Sequence, residues 1–229
     1  MRIAVISTQN NGKTTLVEAF KRIWDNHVSP TKTYRELIKE KGLDINESGT
    51  VESQRIIRDS LIDTALDYAK EPYSIHDRCI IDNLVYTLWL QENGKINDPD
   101  FVADSINIAR ETIKFFDIIF WLPLNKNILL QEKENRSIDP EFRKQIDDIF
   151  AEVYASFQSS ENILFDVENS PPIIKLEGNL NHKIDTIRQY INSNGDLIET
   201  EKSVMEELQG EMSSSFEQQN FIQQVREGK

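Results

Sequence analysis

Ile3-Ala4-Val5-Ile6-Ser7-Thr8-Gln9-Asn10-Asn11-Gly12-Lys13-Thr14-Thr15 frames everything else in this 229-residue chain. Four apolar residues run into a polar turn that closes on Gly12-Lys13-Thr14, and Leu16–Trp24 then carries apolar residues at helical spacing. Strand, loop and helix in that order are the setting in which such a turn reads as a phosphate-binding P-loop. Backbone N–H groups of Asn10, Asn11, Gly12, Lys13, Thr14 and Thr15 would converge on a phosphate chain, and the helix that follows turns its positive end to the same anion. Lys13 would reach the outer phosphates and the Thr14 hydroxyl would sit on a magnesium ion. The usual motif opens with Gly, whereas this chain has Ser7, which is compatible only if an ordinary φ suffices there.

Outward from the loop, short apolar runs alternate with longer amphipathic segments, the pattern of βαβ units around a parallel sheet. Strands are expected at His27–Pro30, Tyr73–Asp77, Asp117–Leu122 and Ile173–Leu176, which with the first makes a five-stranded sheet in a three-layer α/β fold. Helices are expected over Tyr34–Lys41, Val51–Lys70, Ile80–Gln91, Phe101–Phe115, Pro140–Phe157 and His182–Ile191. Composition changes after Ser193: residues 193–229 hold eight acidic and three basic residues and few large apolar ones. The expected organisation is a domain over residues 1–192 and a helical or disordered acidic tail over 193–229.

The net charge of −13 argues against a broad nonspecific grip on nucleic acid. One cysteine, Cys79, cannot form an internal disulfide and fits a reducing compartment. No apolar run approaches the roughly 20 residues of a membrane span and the chain start does not resemble a signal peptide, so a cytoplasmic protein without membrane contact is expected. His27, His76 and His182 do not have metal-ligand spacing, and Trp24, Trp89 and Trp121 read as core.

Asp77-Arg78 closes the third expected strand, with Asp82 four residues beyond Arg78. Ligands of open parallel sheets bind at the carboxyl ends of the strands, so Asp77 should face the same crevice as the P-loop. A carboxylate there can organise the metal or accept a proton, and an arginine beside it can grip an oxygen anion. Asp117 begins its strand instead of ending it, which makes Asp77 the better metal-side carboxylate.

Gly12-Lys13-Thr14-Thr15, the Asp77-Arg78…Asp82…Leu84…Tyr86 segment and the arginine-bearing Glu134–Arg143 together resemble the P-loop nucleoside and nucleotide kinases. Within them the chain is similar to thymidylate kinases and, more closely, to the nicotinamide riboside kinase-like branch. The resemblance implies an ATP- and magnesium-dependent kinase acting on a nucleoside, nucleotide or related small acceptor. It implies Lys13, Asp77, Arg78 and Arg136 as catalytic, with Thr14 and Asp77 at the metal. It implies acceptor contacts from Arg35, Gln54, Arg78 and Asp82, a helical lid carrying Arg136 and Arg143, and nucleotide-base contact at Gly178 in Leu176–Leu180. Two other readings stay open: a kinase acting on a modified base or end of DNA, through a basic cleft of Arg35, Arg55, Arg58 and Arg78, and a non-catalytic nucleotide-dependent switch. A homodimer is also left open.

Overall fold

The computed structural model describes residues 1–31, 34–125, 139–158 and 170–198, without the side chains of Arg35 and Gln158. Four strands, β1 (Arg2–Ile6), β2 (Ser74–Asp77), β3 (Ile118–Trp121) and β4 (Ile173–Lys175), form a parallel sheet in the order β2-β1-β3-β4. The helices are α1 (Lys13–Ile23), α2 (Tyr34–Lys41), α3 (Val51–Asp67), α4 (Ile80–Glu92), α5 (Pro99–Thr112), α6 (Pro140–Gln158) and α7 (Leu180–Ile187).

Both faces of the sheet are covered, which is why its strands are continuously apolar. Alternate residues serve two cores. Ala4, Ile6, Ile119 and Trp121 pack with α4, α5 and α6, while Ile3, Val5, Ile118 and Phe120 pack with Leu16, Val17 and Phe20 of α1 and with Ile184 and Ile187 of α7. The result is the expected three-layer sandwich. Trp24, Trp89 and Trp121 are buried in it. Among the described residues, no helix is long and apolar enough to cross a membrane.

The expected fifth strand is reduced to one residue. Val28 bridges Ser74, donating to the Tyr73 carbonyl and accepting from Ile75 N–H. On one side His27 N–H is engaged with the Trp24 carbonyl at the end of α1, and on the other Pro30 has no N–H to give. Extended pairing stops in both directions, so among the described residues the sheet has four strands and an edge bridge.

β1 is central. The chain leaves it to β2 on one side and later to β3 on the other, so its carboxyl end is the point where the connections diverge and a crevice opens. The register sets Val5 beside Asp77 and Ile6 beside Trp121 at that edge. At the other end of the chain, residues 191–198 fold back on the body. Ile191 bridges Leu197, Trp24 Nε1 donates to the Asn192 carbonyl at 2.7 Å, and Tyr73 donates to Asp196 Oδ1 at 2.7 Å. Residues 199–229, most of the expected tail, lie outside the described residues.

Candidate active site

The P-loop begins where β1 ends. Asn10 (φ 56°) and Gly12 (φ 85°) are left-handed, a conformation that Asn tolerates and Gly adopts freely. Ser7 is not among the positive-φ residues, which explains why a side chain is tolerated in the place of the usual glycine. Its hydroxyl, fully buried, donates to the Thr8 carbonyl at 2.9 Å. Gly12 caps α1 without a side-chain bond, and the first turn of α1 holds no acidic residue. The helix's first N–H groups are therefore left for an anion.

Lys13 folds back on its own loop, donating to the carbonyls of Ser7 (2.7 Å) and Thr8 (3.2 Å). Asp82 Oδ1 stands 3.9 Å from its ammonium. The Thr14 hydroxyl donates to Asp77 Oδ2 at 2.7 Å, so the two oxygen ligands expected around a metal meet across the crevice. A hydroxyl and a carboxylate are hard donors of the kind magnesium takes, the rest of its shell being water and phosphate oxygens.

Arg78 follows with φ 98°, an uncommon conformation for a side-chain-bearing residue, fixed by its N–H bond to the Val5 carbonyl at 3.0 Å. Its guanidinium donates to Asp82 Oδ1 at 3.1 Å and stacks 4.6 Å over the Tyr34 ring and 5.9 Å over that of Tyr86. Asp82 Oδ2 accepts the Cys79 N–H at 3.1 Å, so the carboxylate also caps α4. Burial raises the Asp82 carboxyl above its ordinary value, while Arg78, Lys13 and the Cys79 N–H draw it back down. Burial likewise pushes Tyr86 up to about 12 and Cys79 up, so both stay protonated.

A cleft of about 450 Å³ joins the loop to a chamber beneath α2 and α3. Tyr34, Leu37, Ile57 and Leu61 give it apolar walls, and Ser60 and Thr64 place two hydroxyls on the inward face of α3. His76 lines it too, held neutral by burial with a pKa of about 4 and wedged edge-on against Tyr68 and Phe116. Among the described residues, the cations lining the cleft are Lys13 and Arg78. A second cavity, of about 400 Å³, lies between Pro123–Asn125 and Leu176–Asn179, and Gly178 and Lys183 line it.

The fold thus brings Asn10, Asn11, Gly12, Lys13, Thr14, Thr15, Asp77 and Arg78 to one cleft, and Gly178 to the neighbouring cavity. Other expected residues stand elsewhere. Asp82 is 2% exposed and braces Arg78 and Lys13 from behind the cleft. Gln54 is buried against α4, its side-chain and backbone carbonyls both accepting from Asn83 Nδ2. Arg143 reaches the back of the P-loop, donating from Nε to the Gln9 carbonyl (3.1 Å) and from Nη2 to that of Asn10 (3.2 Å). Arg136 and the Arg35 side chain lie outside the described residues. Arg58 is bonded to Asp104 on the far face of α3, and Arg55 stands over Phe101, so neither lines the cleft. Asp117 binds Arg2 at the opposite edge of the sheet. Tyr34, Ser60 and Thr64 were not foreseen as site residues, and Tyr86 entered only as the end of the Asp77–Tyr86 segment. Two hydroxyls interrupting the apolar stripe of α3 were the available signal.

A parallel sheet with a P-loop at its carboxyl edge and an aspartate on the neighbouring strand defines a P-loop nucleotide-binding protein. More particularly, the chain belongs to the AAA domain family, whose model matches residues 2–166. A comparison with curated proteins finds no match. Among solved structures, the chain is similar to deoxyadenosine kinase from M. mycoides with dCMP and dCDP bound, at 14% identity over 82% of this chain and 97% of that one, with a TM-score of 0.62. It is also similar to NadR protein in complex with NR, at 17% identity over 86% of this chain and 53% of that one, with a TM-score of 0.62. A second NadR structure, in complex with NAD and AMP-PNP, matches at 19% identity over 87% of this chain and 51% of that one, with a TM-score of 0.57. The chain spans about half the length of the NadR structures. At these identities the likeness establishes a shared fold.

Proposed function

We propose that the protein transfers the γ-phosphoryl group of a nucleoside triphosphate, ATP being the donor the resemblance implies, to a hydroxyl of a small nucleoside-type acceptor. The observation that carries this reading is the single cleft in which a P-loop, Asp77 and Arg78 open onto an apolar, hydroxyl-lined chamber. Its size suits a small molecule.

Lys13, freed from the Ser7 and Thr8 carbonyls, and the N–H groups of Gly12–Thr14 hold the triphosphate. Thr14 and Asp77 would hold magnesium, which when bound offsets phosphate charge. The acceptor lies against Tyr34, Leu37, Ile57 and Leu61, with Ser60 and Thr64 as hydrogen-bonding partners. Asp77 accepts the proton of the attacking hydroxyl as its oxygen bonds to the γ-phosphorus, and the bond to the bridging oxygen breaks to release the nucleoside diphosphate. Arg78 steadies the charge that spreads over the moving group. We assign this work to residues 1–192 and treat 193–229 as an accessory segment.

The test is nucleoside diphosphate release with magnesium, ATP or GTP and a panel of nucleosides and nucleotides. Acceptor-dependent release that Lys13→Met lowers on the order of 10³-fold is expected. Folded protein that binds nucleotide but releases none with any acceptor would overturn the proposal and leave a nucleotide-dependent switch.

A further inference from the structure

The second cavity contains a lysine that the fold itself does not use. Lys183, whose N–H closes the first turn of α7, is 6% exposed, and its side chain has neither a hydrogen-bond nor an ionic partner among the described residues. Its neighbours on the inward face of the helix, Ile184 and Ile187, are apolar core. Glu177, the carboxylate among the cavity's described residues, is paired with Lys175 at 2.7 Å. Burial without compensation depresses the ammonium's pKa. A methionine would fill this position at less cost, so a lysine with a buried stem and an unpartnered ammonium opening at a cavity points to a ligand.

The walls show what kind. Pro123, Leu124 and Leu176 are apolar, and Gly178 keeps the β4–α7 turn open: at its φ of 79°, a Cβ would meet the His182 ring at 2.9 Å. The cavity borders the P-loop through Asn11, whose Nδ2 donates to the Leu122 and Pro123 carbonyls and whose Oδ1 accepts the Asn125 N–H. The base of a triphosphate held by the P-loop would lie in this neighbouring space, between the two loops. This step rests on the nucleotide-binding reading above.

The geometry points to Lys183 as the residue that reads the donor's base, selecting a 6-oxopurine over adenine. An ammonium offers three donors and no acceptor. Guanine and hypoxanthine present two acceptors on one edge, O6 and N7, a pattern that lysine engages in both. Adenine presents an amino donor where O6 would be, which leaves a buried donor unpaired.

Calorimetric binding of the magnesium complexes of ITP, GTP and ATP to the full chain tests this, because ITP differs from ATP only in the 6-oxo group and the N1 proton that accompanies it. Wild-type protein should bind ITP and GTP about tenfold more tightly than ATP. Lys183→Met should remove the difference while keeping ATP affinity, and Lys183→Arg should retain it. Inorganic triphosphate binding and the unfolding midpoint report whether each variant is folded. Equal affinities in the wild type, or a preference that survives Lys183→Met, would overturn the assignment and leave the P-loop reading intact. Failure to bind any triphosphate, inorganic triphosphate included, would overturn both.

Discussion

Two of the arginine–aspartate pairs among the described residues, Arg78–Asp82 and Arg58–Asp104, differ in what surrounds the carboxylate. Arg78 and Asp82 meet at 3.1 Å with their side chains 14% and 2% exposed. Arg58 and Asp104 meet at 2.8 Å, closer, yet Asp104 is 58% exposed. The first pair has a second cation, Lys13, within 3.9 Å and a backbone N–H on its other oxygen. The second ties α3 to α5, and water competes for it. Distance alone ranks them wrongly, because desolvation and the number of partners that would be orphaned set the cost of breaking a pair.

The comparison is broken or kept most directly by truncating each carboxylate. Asp82→Ala leaves Arg78 buried without its anion and removes the cap of α4, and should cost about 3–5 kcal/mol of stability in urea denaturation. Replacing both partners, Asp82→Leu with Arg78→Met, should cost less than the single change, since the arginine is no longer stranded and Lys13 keeps its Ser7 and Thr8 carbonyls. A single-mutant loss below about 1 kcal/mol would place this pair in the same class as Arg58–Asp104.

The next effect comes from a buried group with no ion partner among the described residues. His76 is 4% exposed and its pKa is lowered by burial to about 4. The folded state keeps the ring neutral while the unfolded chain takes up a proton below about pH 6.5, so stability is full above that value and falls as the pH drops toward 4. Between pH 7 and pH 5 this amounts to roughly 2 kcal/mol for one histidine. His27, also lowered to about 4, adds a parallel share. His76→Leu should therefore remove about half of the loss that these two rings produce, read as urea midpoints at the two pH values. An unchanged pH slope would show that the ring titrates normally.

These residues also show what the sequence discloses. The P-loop, Asp77 and Arg78 were legible because each is encoded locally: a loop that needs Gly12 and a small polar residue at Asn10, and a strand end fixed by its apolar run. The chamber walls were not, because Tyr34, Ser60 and Tyr86 belong to three helices whose meeting depends on packing. Gln54 and Ser60 look alike as polar residues on α3, and only the docking of α4 decides that Gln54 is buried against Asn83. The second strand failed for two reasons, Pro30, which the sequence shows, and the engagement of His27 N–H by the preceding helix, which only the bonds show.

Tyr34 sharpens the contrast on the cleft side. Its ring covers the Arg78 guanidinium at 4.6 Å in a desolvated setting. Tyr34→Leu should cost about 1–2 kcal/mol, and Tyr34→Phe, which keeps the ring, distinctly less. Equal losses would mean that the hydroxyl, not the ring face, holds the arginine.

The smallest effect belongs to Asp104→Ala. Arg58 is itself buried, yet losing Asp104 does not strand it: Ser105 Oγ lies 3.3 Å from Nη1, Asp59 Oδ1 lies 3.5 Å from Nε, and the Phe101 ring lies 5.1 Å from the guanidinium carbon. With those partners in place and the departing carboxylate already in water, the loss should stay below about 1 kcal/mol. Salt gives the sharper measurement. Raising the ionic strength to about 1 M shortens the Debye length to about 3 Å, so the difference between wild type and Asp104→Ala should shrink, whereas that for Asp82→Ala, shielded by protein, should persist. If both differences responded alike, burial of the carboxylate would not be what separates the two pairs.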